Sequence, residues 1–339
     1  MRNTLEQISV DSELLPGARN AVRTCLRIQP GEKTTLITDL ASIEISAALA
    51  AELREVGAPH KAFVLEEWSP RPLVDMPREV LADLETSRVS IFAVVAQPNE
   101  LHSRMQMTDV VNRRKIRHAH MVNITRQIML DGMQSDYDRV DELSVRVMEI
   151  AKRAQQVRAT TAAGTDIRAK LNHDYKWLKT SGIISENTWG NLPGGEVWTT
   201  PGEVNGVFVV DGVVGDYLCA KYGDLKRTPM TLHIEGNRLR SADCRNRELQ
   251  EEFWRYTHTD ENSDRVGEFA IGTNIGVRDI IGNILQDEKI PGVHIAFGNP
   301  YGDHTGADWD SSTHIDVVGR RFSIWADDRQ IMREGAFTL

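Results

Sequence analysis

Residues 292–318 read GVHIAFGNPYGDHTGADWDSSTHIDVV and contain most of the features that decide the fold of the second half of the chain. Two apolar runs, residues 293–297 and 314–318, predict short strands joined by a glycine-containing loop. Side chains two positions apart on a strand point to the same face, so His314 and Asp316 are predicted to lie side by side. An imidazole beside a carboxylate can hold a metal ion.

The same stretch contains further side chains that can bind metal or substrate. These are His294, Tyr301, His304, Asp308 and Asp310. Around it, residues 158–339 show short apolar alternations separated by Gly, Asn and Asp, with helical segments predicted at 246–258 and 278–285. We therefore predict that residues 158–339 form an α+β, β-rich metal-binding domain that carries the chemistry.

The first half of the chain has a different pattern, in which apolar runs alternate with helical segments. Strands are predicted at residues 34–39, 60–65, 89–95 and 118–124, and helices at 11–28, 42–56, 78–85 and 137–155. The run at 89–95 is continuous and rich in β-branched residues, as strands buried on both faces are. Residues 1–157 are accordingly predicted to form an α/β domain with an open parallel sheet.

Composition and motifs exclude several classes of protein. The 49 acidic against 40 basic residues give a formal charge of −9, which argues against nucleic-acid binding. The basic run at residues 112–117 is predicted to lie on a solvated face. No GxGxxG follows the first strand and no GxxxxGK[ST] occurs, so a nucleotide site would rest on fold analogy alone.

Cysteine usage and hydropathy predict a cytoplasmic protein. Cys25, Cys219 and Cys244 are far apart and form no CxxC, so neither a disulfide framework nor a structural zinc site is expected. The N-terminus lacks the apolar core of a signal peptide, and no apolar run has the length needed to span a bilayer. We expect no membrane partner.

Four segments of the second half contain candidate metal ligands beside glycine or within short apolar runs. The candidates are Glu196, Glu268, His294, His314 and Asp316. Carboxylates and imidazoles suit a borderline divalent ion, or two ions bridged by a carboxylate. Each residue alone has an ordinary structural explanation, since a Glu beside glycine is usually a solvated turn residue and a strand His is usually a core residue.

Other polar residues carry weaker hypotheses. His258 is predicted to complement the dipole at the end of a helix, while His304 and Asp308 are candidates for substrate contact. His173, Tyr175 and Trp177 would alternate on a predicted strand and could line a pocket. No Ser or Cys lies in a nucleophile motif such as GxSxG, so a covalent mechanism is unsupported.

Taken together and in order, NLPGGEVWTTP, GEFAIGTN, DEKIPGVHIAFGNPYG and THIDVV resemble the thermophilic-metalloprotease family, the aminopeptidase T and aminopeptidase S group. The motifs span roughly residues 160–325. The resemblance implies a homodimeric enzyme that acts on a peptide N-terminus or a related small amide. It also implies a two-metal site in which a carboxylate bridges the ions and water is activated. The ions would be Zn, Co, Mn or Mg.

Individual roles follow from the same resemblance. The implied metal ligands are Glu196, Glu268, His294, His314 and Asp316. Tyr301, seven residues after His294, matches the active-site tyrosine, and with Glu196 it is the predicted catalytic pair; the tyrosine would stabilise the developing oxyanion. The compact span from His294 to His314 predicts a substrate pocket that differs from that of the peptidases.

Two alternatives stay open at this point. The chain also resembles the 2,5-dihydroxypyridine dioxygenases, a branch of the same superfamily that cleaves an aromatic ring with one Fe(II) held by two His and one carboxylate. Their first histidine aligns with Glu268, which favours the hydrolytic pattern, although His294, His314 and Asp316 could compose the iron set. The second alternative is a metal-stabilised binding protein, which is disfavoured because structural sites are normally saturated by protein ligands.

Overall fold

The structure is a computed structural model that describes residues 4–186 and 190–339. The chain divides into two compact units. The first comprises Met1–Asp138 and Gly182–Gly194, and the second comprises Arg139–Ser181 and Gly195–Leu339. The predicted domain boundary after residue 157 stays a prediction, because compactness does not decide which segment folds independently.

Helices and strands alternate in the first half and strands dominate the second. The α-helices are α1 (Leu15–Arg19), α2 (Ile43–Val56), α3 (Arg78–Leu84), α4 (Leu101–Arg114), α5 (Arg126–Leu130), α6 (Tyr137–Ala151), α7 (Asp216–Tyr222), α8 (Arg247–Tyr256), α9 (Ile284–Asp287) and α10 (Gly302–Thr305). The strands are β1 (Thr34–Thr38), β2 (His60–Val64), β3 (Val89–Val94), β4 (Arg117–Val122), β5 (Gln156–Thr160), β6 (Asp166–Leu171), β7 (Leu178–Lys179), β8 (Gly190–Asn191), β9 (Glu196–Thr199), β10 (Pro201–Val210), β11 (Met230–Glu235), β12 (Arg238–Cys244), β13 (Val266–Gly272), β14 (Gly292–Gly298), β15 (His314–Val318), β16 (Ser323–Ala326), β17 (Arg329–Arg333) and β18 (Ala336–Phe337).

The first unit is built on a parallel sheet with strand order β2-β1-β3-β4-β8. Every residue of β1 and β3 is buried, as the continuous apolar runs predict. Helix α2 ends at Gly57, whose φ of +76° lets its N–H reach the carbonyl oxygens of Leu53 and Arg54. The predicted open α/β architecture is confirmed.

Three predicted helices differ from the structure in their extent. The single helix predicted at residues 11–28 is a 3-10 turn, α1 and a π-helical turn, Asn20–Cys25; α1 begins where Pro16 is tolerated in the first turn. The helix predicted at 278–285 is wrong for most of its length. Asp287 accepts hydrogen bonds from the backbone N–H groups of Ile281, Gly282 and Asn283, which holds that segment as a turn before α9. The helix predicted at 137–155 ends at Ala151.

The second unit contains two antiparallel sheets that share one hydrophobic core. Their strand orders are β12-β11-β10-β6-β5-β16-β17-β18 and β15-β14-β13-β9-β7. Phe208 of the larger sheet and Phe297 of the smaller one both belong to this core. The β-rich second part is therefore confirmed. Within the described residues, no helix combines the length and apolar character required to cross a bilayer.

A buried ion cluster occupies the carboxyl ends of β1 and β3 in the first unit. Arg71 donates to Asp39 Oδ2 at 2.7 Å, to the Val95 carbonyl oxygen at 2.7 Å and, through Nε, to Glu100 Oε1 at 2.8 Å. The side chains of Arg71, Asp39 and Glu100 are all nearly inaccessible. Chain order reverses between β1 and β3, which is where open α/β sheets commonly bind ligands. Here protein side chains fill that position.

Replacing Arg71 with Met is expected to lower the free energy of unfolding by about 3 kcal/mol or more, because Asp39 and Glu100 would remain buried without their cation. Urea unfolding followed by circular dichroism measures this change. The matched control is Arg88→Met, which removes an exposed pair with Glu186 and should cost less than about 1 kcal/mol. Equal effects of the two substitutions would contradict this account of the cluster.

A second prediction concerns two buried histidines of the first unit. His118 Nδ1 lies 2.8 Å from Ser90 Oγ, and His118 Nε2 lies 3.1 Å from His120 Nδ1. Burial, followed by the charge of Arg104, lowers the pKa of His120 to about 3, and burial also lowers the pKa of His118. The unfolded chain binds these protons near the ordinary value of about 6.5. Above that pH the two buried, neutral histidines therefore do not reduce the free energy of unfolding. As the pH falls from about 6.5 towards about 3, the free energy of unfolding decreases, because the unfolded chain binds protons that the folded chain does not.

The variant His120→Gln should consequently show a smaller loss of unfolding free energy between pH 7 and pH 5 than the unmodified protein does. Urea titrations at each pH provide the measurement. His102→Gln, which alters an exposed histidine, should keep the slope of the unmodified protein. Identical slopes for His120→Gln and the unmodified protein would refute the prediction.

Candidate metal centre

The centre lies on one face of the smaller antiparallel sheet. Val293, Ile295 and Phe297 of β14 pack in the hydrophobic core, so His294 points to the opposite face. The same alternation brings all five predicted ligands to that face. They are Glu196 of β9, Glu268 of β13, His294 of β14, and His314 and Asp316 of β15.

A β-bulge at Gly267 brings Glu268 onto this face. Val266 and Phe269 both lie in the core although they are three positions apart, and the register between β13 and β14 shifts between Val266 and Glu268. A Cβ atom at Gly267 would stand 2.4 Å from the Gly298 carbonyl oxygen. Glycine is therefore required for the close approach of the two strands, and the bulge changes the face to which the next side chain points.

Small residues leave space between the ligands. Asp316 of β15 and Glu268 of β13 lie on either side of Ala296 in one row across the sheet. His294 is likewise paired with Ala270. Because alanine side chains extend little above the sheet, the carboxylates and imidazoles can converge over Ala296 and Ala270.

His294 lies between two carboxylates. Its buried Nε2 is 3.4 Å from Glu196 Oε2 and 3.4 Å from Glu268 Oε1, and it has no hydrogen-bond partner. Ligand atoms about 2.1 Å from a tetrahedral ion are about 3.4 Å apart. The spacing of these three atoms, and the absence of a hydrogen bond at Nε2, therefore fit a divalent ion at this position.

His314 is oriented by a backbone group. Its Nδ1 lies 3.0 Å from the carbonyl oxygen of Asn299, which can only accept a hydrogen bond, so Nδ1 carries the proton. In the neutral ring the lone pair is then on Nε2, which lies 3.7 Å from Glu268 Oε2 and 3.6 Å from Asp316 Oδ1. This is the usual arrangement of a metal-ligating histidine whose second nitrogen is held by a carbonyl group.

Tyr301 borders the centre and has an unusual backbone conformation. Its φ of +50° is uncommon for a residue with a side chain, and such residues cluster at functional sites. The Asn299 side chain accepts a hydrogen bond from the Tyr301 N–H at 2.8 Å and donates to Asp310 Oδ1. The phenol ring lies 4.6 Å from the His314 ring and 5.9 Å from the Trp198 ring, and 43% of the residue is exposed. Tyr301 thus lies beside the predicted ligands and remains accessible.

Two residues of the centre were missed by the sequence interpretation, Glu288 and Lys289. Lys289 is buried, donates to Glu196 Oε1 at 2.7 Å and also contacts Glu288. A ligand oxygen of Glu288 lies within 4.8 Å of ligand atoms of both His294 and Asp316. Both residues belong to the quoted motif DEKIPGVHIAFGNPYG, which was the available signal.

Concentrated negative charge perturbs the titration of these groups. Burial lowers the pKa of His294, but Glu268 and Glu196 raise it more, to about 9. Burial raises the pKa of Glu288 to about 8 against the opposing charge of Lys289. Burial also raises the pKa of Glu196, but the positive charges of Lys289 and His294 lower it more, so that its pKa is below the ordinary value. Four carboxylates on one buried face therefore require cations nearby.

Gly272 allows the segment that carries Lys289 to cross this face. A Cβ atom at Gly272 would lie 2.0 Å from the Ile290 carbonyl oxygen and 3.0 Å from the Lys289 carbonyl carbon. Both are backbone atoms, so these clashes could be relieved only by moving the main chain. The glycine thereby fixes the height of Lys289 above the sheet.

The remaining predicted residues lie in several places. His304 and Asp308 are exposed on the loop between Tyr301 and His314, and their contact with substrate stays a prediction. His258 stacks on Trp254 at the end of α8, and its Nδ1 lies 2.8 Å from the Trp254 carbonyl oxygen. The strand predicted to contain His173, Tyr175 and Trp177 is wrong, because the chain turns there after β6.

Within residues 4–186 and 190–339, two groups of three residues have ligand atoms all within 4.8 Å of one another. One group is Glu196, Glu268 and His294, and the other is Glu288, His294 and Asp316. Neither combines two histidines with a carboxylate. His314 belongs to neither group, and its Nε2 lies 3.7 Å from Glu268 Oε2 and 3.6 Å from Asp316 Oδ1.

One family model and two solved structures are similar to this chain. The sequence model of the thermophilic metalloprotease (M29) family matches residues 114–337. AmpT from Thermus thermophilus has a similar fold, with a TM-score of 0.71 and 16% identity over 96% of this chain and 99% of that chain. The 2,5-dihydroxypyridine dioxygenase of Pseudomonas putida is also similar, with a TM-score of 0.67 and 15% identity over 97% of this chain and 98% of that chain. No curated protein sequence matches significantly.

The substitution Gly272→Ala should lower the amount of zinc bound per chain after dialysis, because the clash with the crossing segment would displace β13, the strand that carries Glu268. Elemental analysis measures the zinc. Gly190→Ala is the matched control, since its Cβ would meet only a side-chain atom of Ile184 at an ordinary 3.9 Å. Full zinc content in Gly272→Ala would show that the crossing segment does not shape the centre.

Proposed function

The chain belongs to the thermophilic metalloprotease (M29) family, and from that premise we propose that it is an aminopeptidase with a two-metal centre. Membership makes the chain a metal-dependent peptidase. The finer proposal is that it hydrolyses the first peptide bond of a peptide, or a related small amide. The proposed ligands are Glu196, Glu268, His294, His314 and Asp316.

The orientation of Glu268 is the observation that carries the two-metal proposal. Its Oε1 faces His294 Nε2 at 3.4 Å, and its Oε2 faces His314 Nε2 at 3.7 Å. The two oxygens of one carboxylate thus point to two different imidazoles. A carboxylate in this position can bridge two ions, one beside each histidine.

Each ion would have a distinct ligand set. At the first position the ligands would be Glu196 Oε2, Glu268 Oε1 and His294 Nε2, and at the second they would be Glu268 Oε2, His314 Nε2 and Asp316. Bound divalent ions supply Lewis-acid activation of water and of the substrate carbonyl group. Carboxylates and imidazoles accept Zn, Co, Mn or Mg, so the donor atoms do not select one metal.

The residues around the ligands would act on the substrate directly. Tyr301 is exposed beside His314, and its O–H can donate a hydrogen bond to the substrate oxygen on which charge develops. Exposed Tyr301 and half-buried Trp198, in edge contact, form an aromatic wall against which an apolar side chain can pack.

The direct test is hydrolysis of aminoacyl p-nitroanilides by metal-loaded protein. Activity should disappear on chelation and return on addition of Zn, Co, Mn or Mg. N-acetylated versions of the same substrates serve as the control, since they lack the charged amino terminus. Cleavage of blocked and free substrates at similar rates would point to an endopeptidase or amidase rather than an aminopeptidase.

Tyr301→Phe is expected to reduce kcat by about 10²–10³-fold while leaving the metal content unchanged, because only the hydrogen-bond donor is removed. Stopped assays with p-nitroanilides and elemental analysis give the two values. Tyr217→Phe, which alters another exposed tyrosine, should have normal kcat. A kcat for Tyr301→Phe within a factor of two of the unmodified protein would remove Tyr301 from the catalytic set.

A ring-cleaving Fe(II) dioxygenase is the second candidate, because His294, His314 and Asp316 lie on one face of a fold shared with a dioxygenase. Oxygen uptake by anaerobically iron-loaded protein with a dihydroxypyridine is the discriminating measurement. Uptake without peptidase activity would favour this candidate over hydrolysis. A homodimer and a cytoplasmic location also remain predictions, which gel filtration and cell fractionation would test.

A further inference from the structure

Lys289 is a buried cation within the metal centre. Its side chain is 1% exposed, and its Nζ lies 2.7 Å from Glu196 Oε1 and contacts Glu288. An ammonium group in such a place must be compensated by carboxylates, since an unpaired buried charge is unfavourable. Lys289 therefore uses part of the same negative charge that the ions need.

Glu196 is the ligand that Lys289 affects most directly. Its Oε1 accepts hydrogen bonds from both Lys289 Nζ and Thr180 Oγ1, each at 2.7 Å. Only Oε2 faces His294. Glu196 thus has one oxygen available to an ion, and the charge of its carboxylate is already partly neutralised.

The second ligand set has a different environment. His314 Nε2 faces Glu268 Oε2 and Asp316 Oδ1, whereas Lys289 forms its ion pairs with Glu196 and Glu288. In the described part of the chain, the lysine therefore contacts a ligand of the first position and not a ligand of the second. The two positions share Glu268, but only the first has a ligand in direct contact with Lys289.

We propose that the two metal positions are unequal, the position of Glu196 and His294 holding the weaker and more rapidly exchanged ion because Lys289 competes with it for Glu196. This inference rests on the two-metal centre of the proposed function. A positive charge beside a carboxylate ligand reduces the attraction between that ligand and a divalent cation. The position of His314 and Asp316 has no such competitor among its contacts and would fill first.

The binding of Mn²⁺ to chelator-treated protein, measured by equilibrium dialysis, tests the inequality without any activity assay. The unmodified protein should bind two ions per chain in two steps separated by about tenfold or more in Kd. Two ions bound with equal affinity would overturn the inference and leave the two-metal aminopeptidase intact. Uptake of one ion only, at any concentration, would overturn both the inference and the two-metal proposal.

Lys289→Met tests the cause of the inequality. Removing the charge while keeping an unbranched side chain should tighten the weaker step about tenfold or more and bring the two Kd values closer together. Thr180→Val is the matched control: it removes a neutral donor from the same Glu196 oxygen and should not tighten the weaker step. If Lys289→Met instead bound the ion at the position of Glu196 and His294 more weakly, or not at all, the lysine would be positioning Glu196 for metal binding. That result would contradict the proposed competition.

Lys289→Arg provides a second variant if the methionine protein does not fold, because it keeps the positive charge. The weaker step should stay separated from the tighter one in this variant. Convergence of the two Kd values in Lys289→Arg would show that the shape of the side chain, not its charge, sets the difference, and would reject the proposal. Circular dichroism of each variant establishes that folded proteins are being compared.

Discussion

The second unit must keep four carboxylates close together on a face that is almost closed to water. Glu196, Glu268, Glu288 and Asp316 repel one another in that environment, and the energy of the repulsion rises as water is excluded. His294, His314 and Lys289 are the neighbouring groups that can offset it. The carboxylates raise the pKa values of both imidazoles, so protons on His294 and His314 together with Lys289 offset this charge, and a divalent ion bound here would take the place of the imidazole protons.

Each strand of the smaller sheet has two functions, packing in the core and presenting the polar side chains of the centre, and these functions belong to opposite faces of the sheet. One set of alternate residues packs into the core that the two antiparallel sheets share, and this burial fixes the strands. The other set carries the ligands. Since a shift of one residue would exchange the two sets, the hydrophobic core fixes which side chains face the candidate metal centre. The bulge at Gly267 is the local exception that aligns Glu268 with this pattern.

Much of this arrangement could be predicted from the sequence, and the exceptions have physical causes. His314 and Asp316 could be placed on one face because strand alternation depends only on neighbouring residues, whereas the face of His294 relative to them depends on pairing between two strands. The meeting of Glu196 and Glu268 with them depends on strand order, which the motifs suggested through resemblance but periodicity alone could not supply. Lys289 was missed because its position depends on contact between a loop and the bare backbone of Gly272, which leaves no pattern in the local sequence.

In the first unit, the position that open α/β sheets commonly offer to a ligand is filled by Arg71 and its carboxylates. The candidate metal centre therefore lies in the second unit. There the residue type at position 268 decides how many ions the proposed ligands can bind. A carboxylate presents two oxygens, and here they face His294 and His314 separately. A histidine at the same point would present one available nitrogen and could bind one ion. The difference between two donor atoms and one separates the proposed hydrolysis by a pair of ions from the alternative of oxygen chemistry at a single iron.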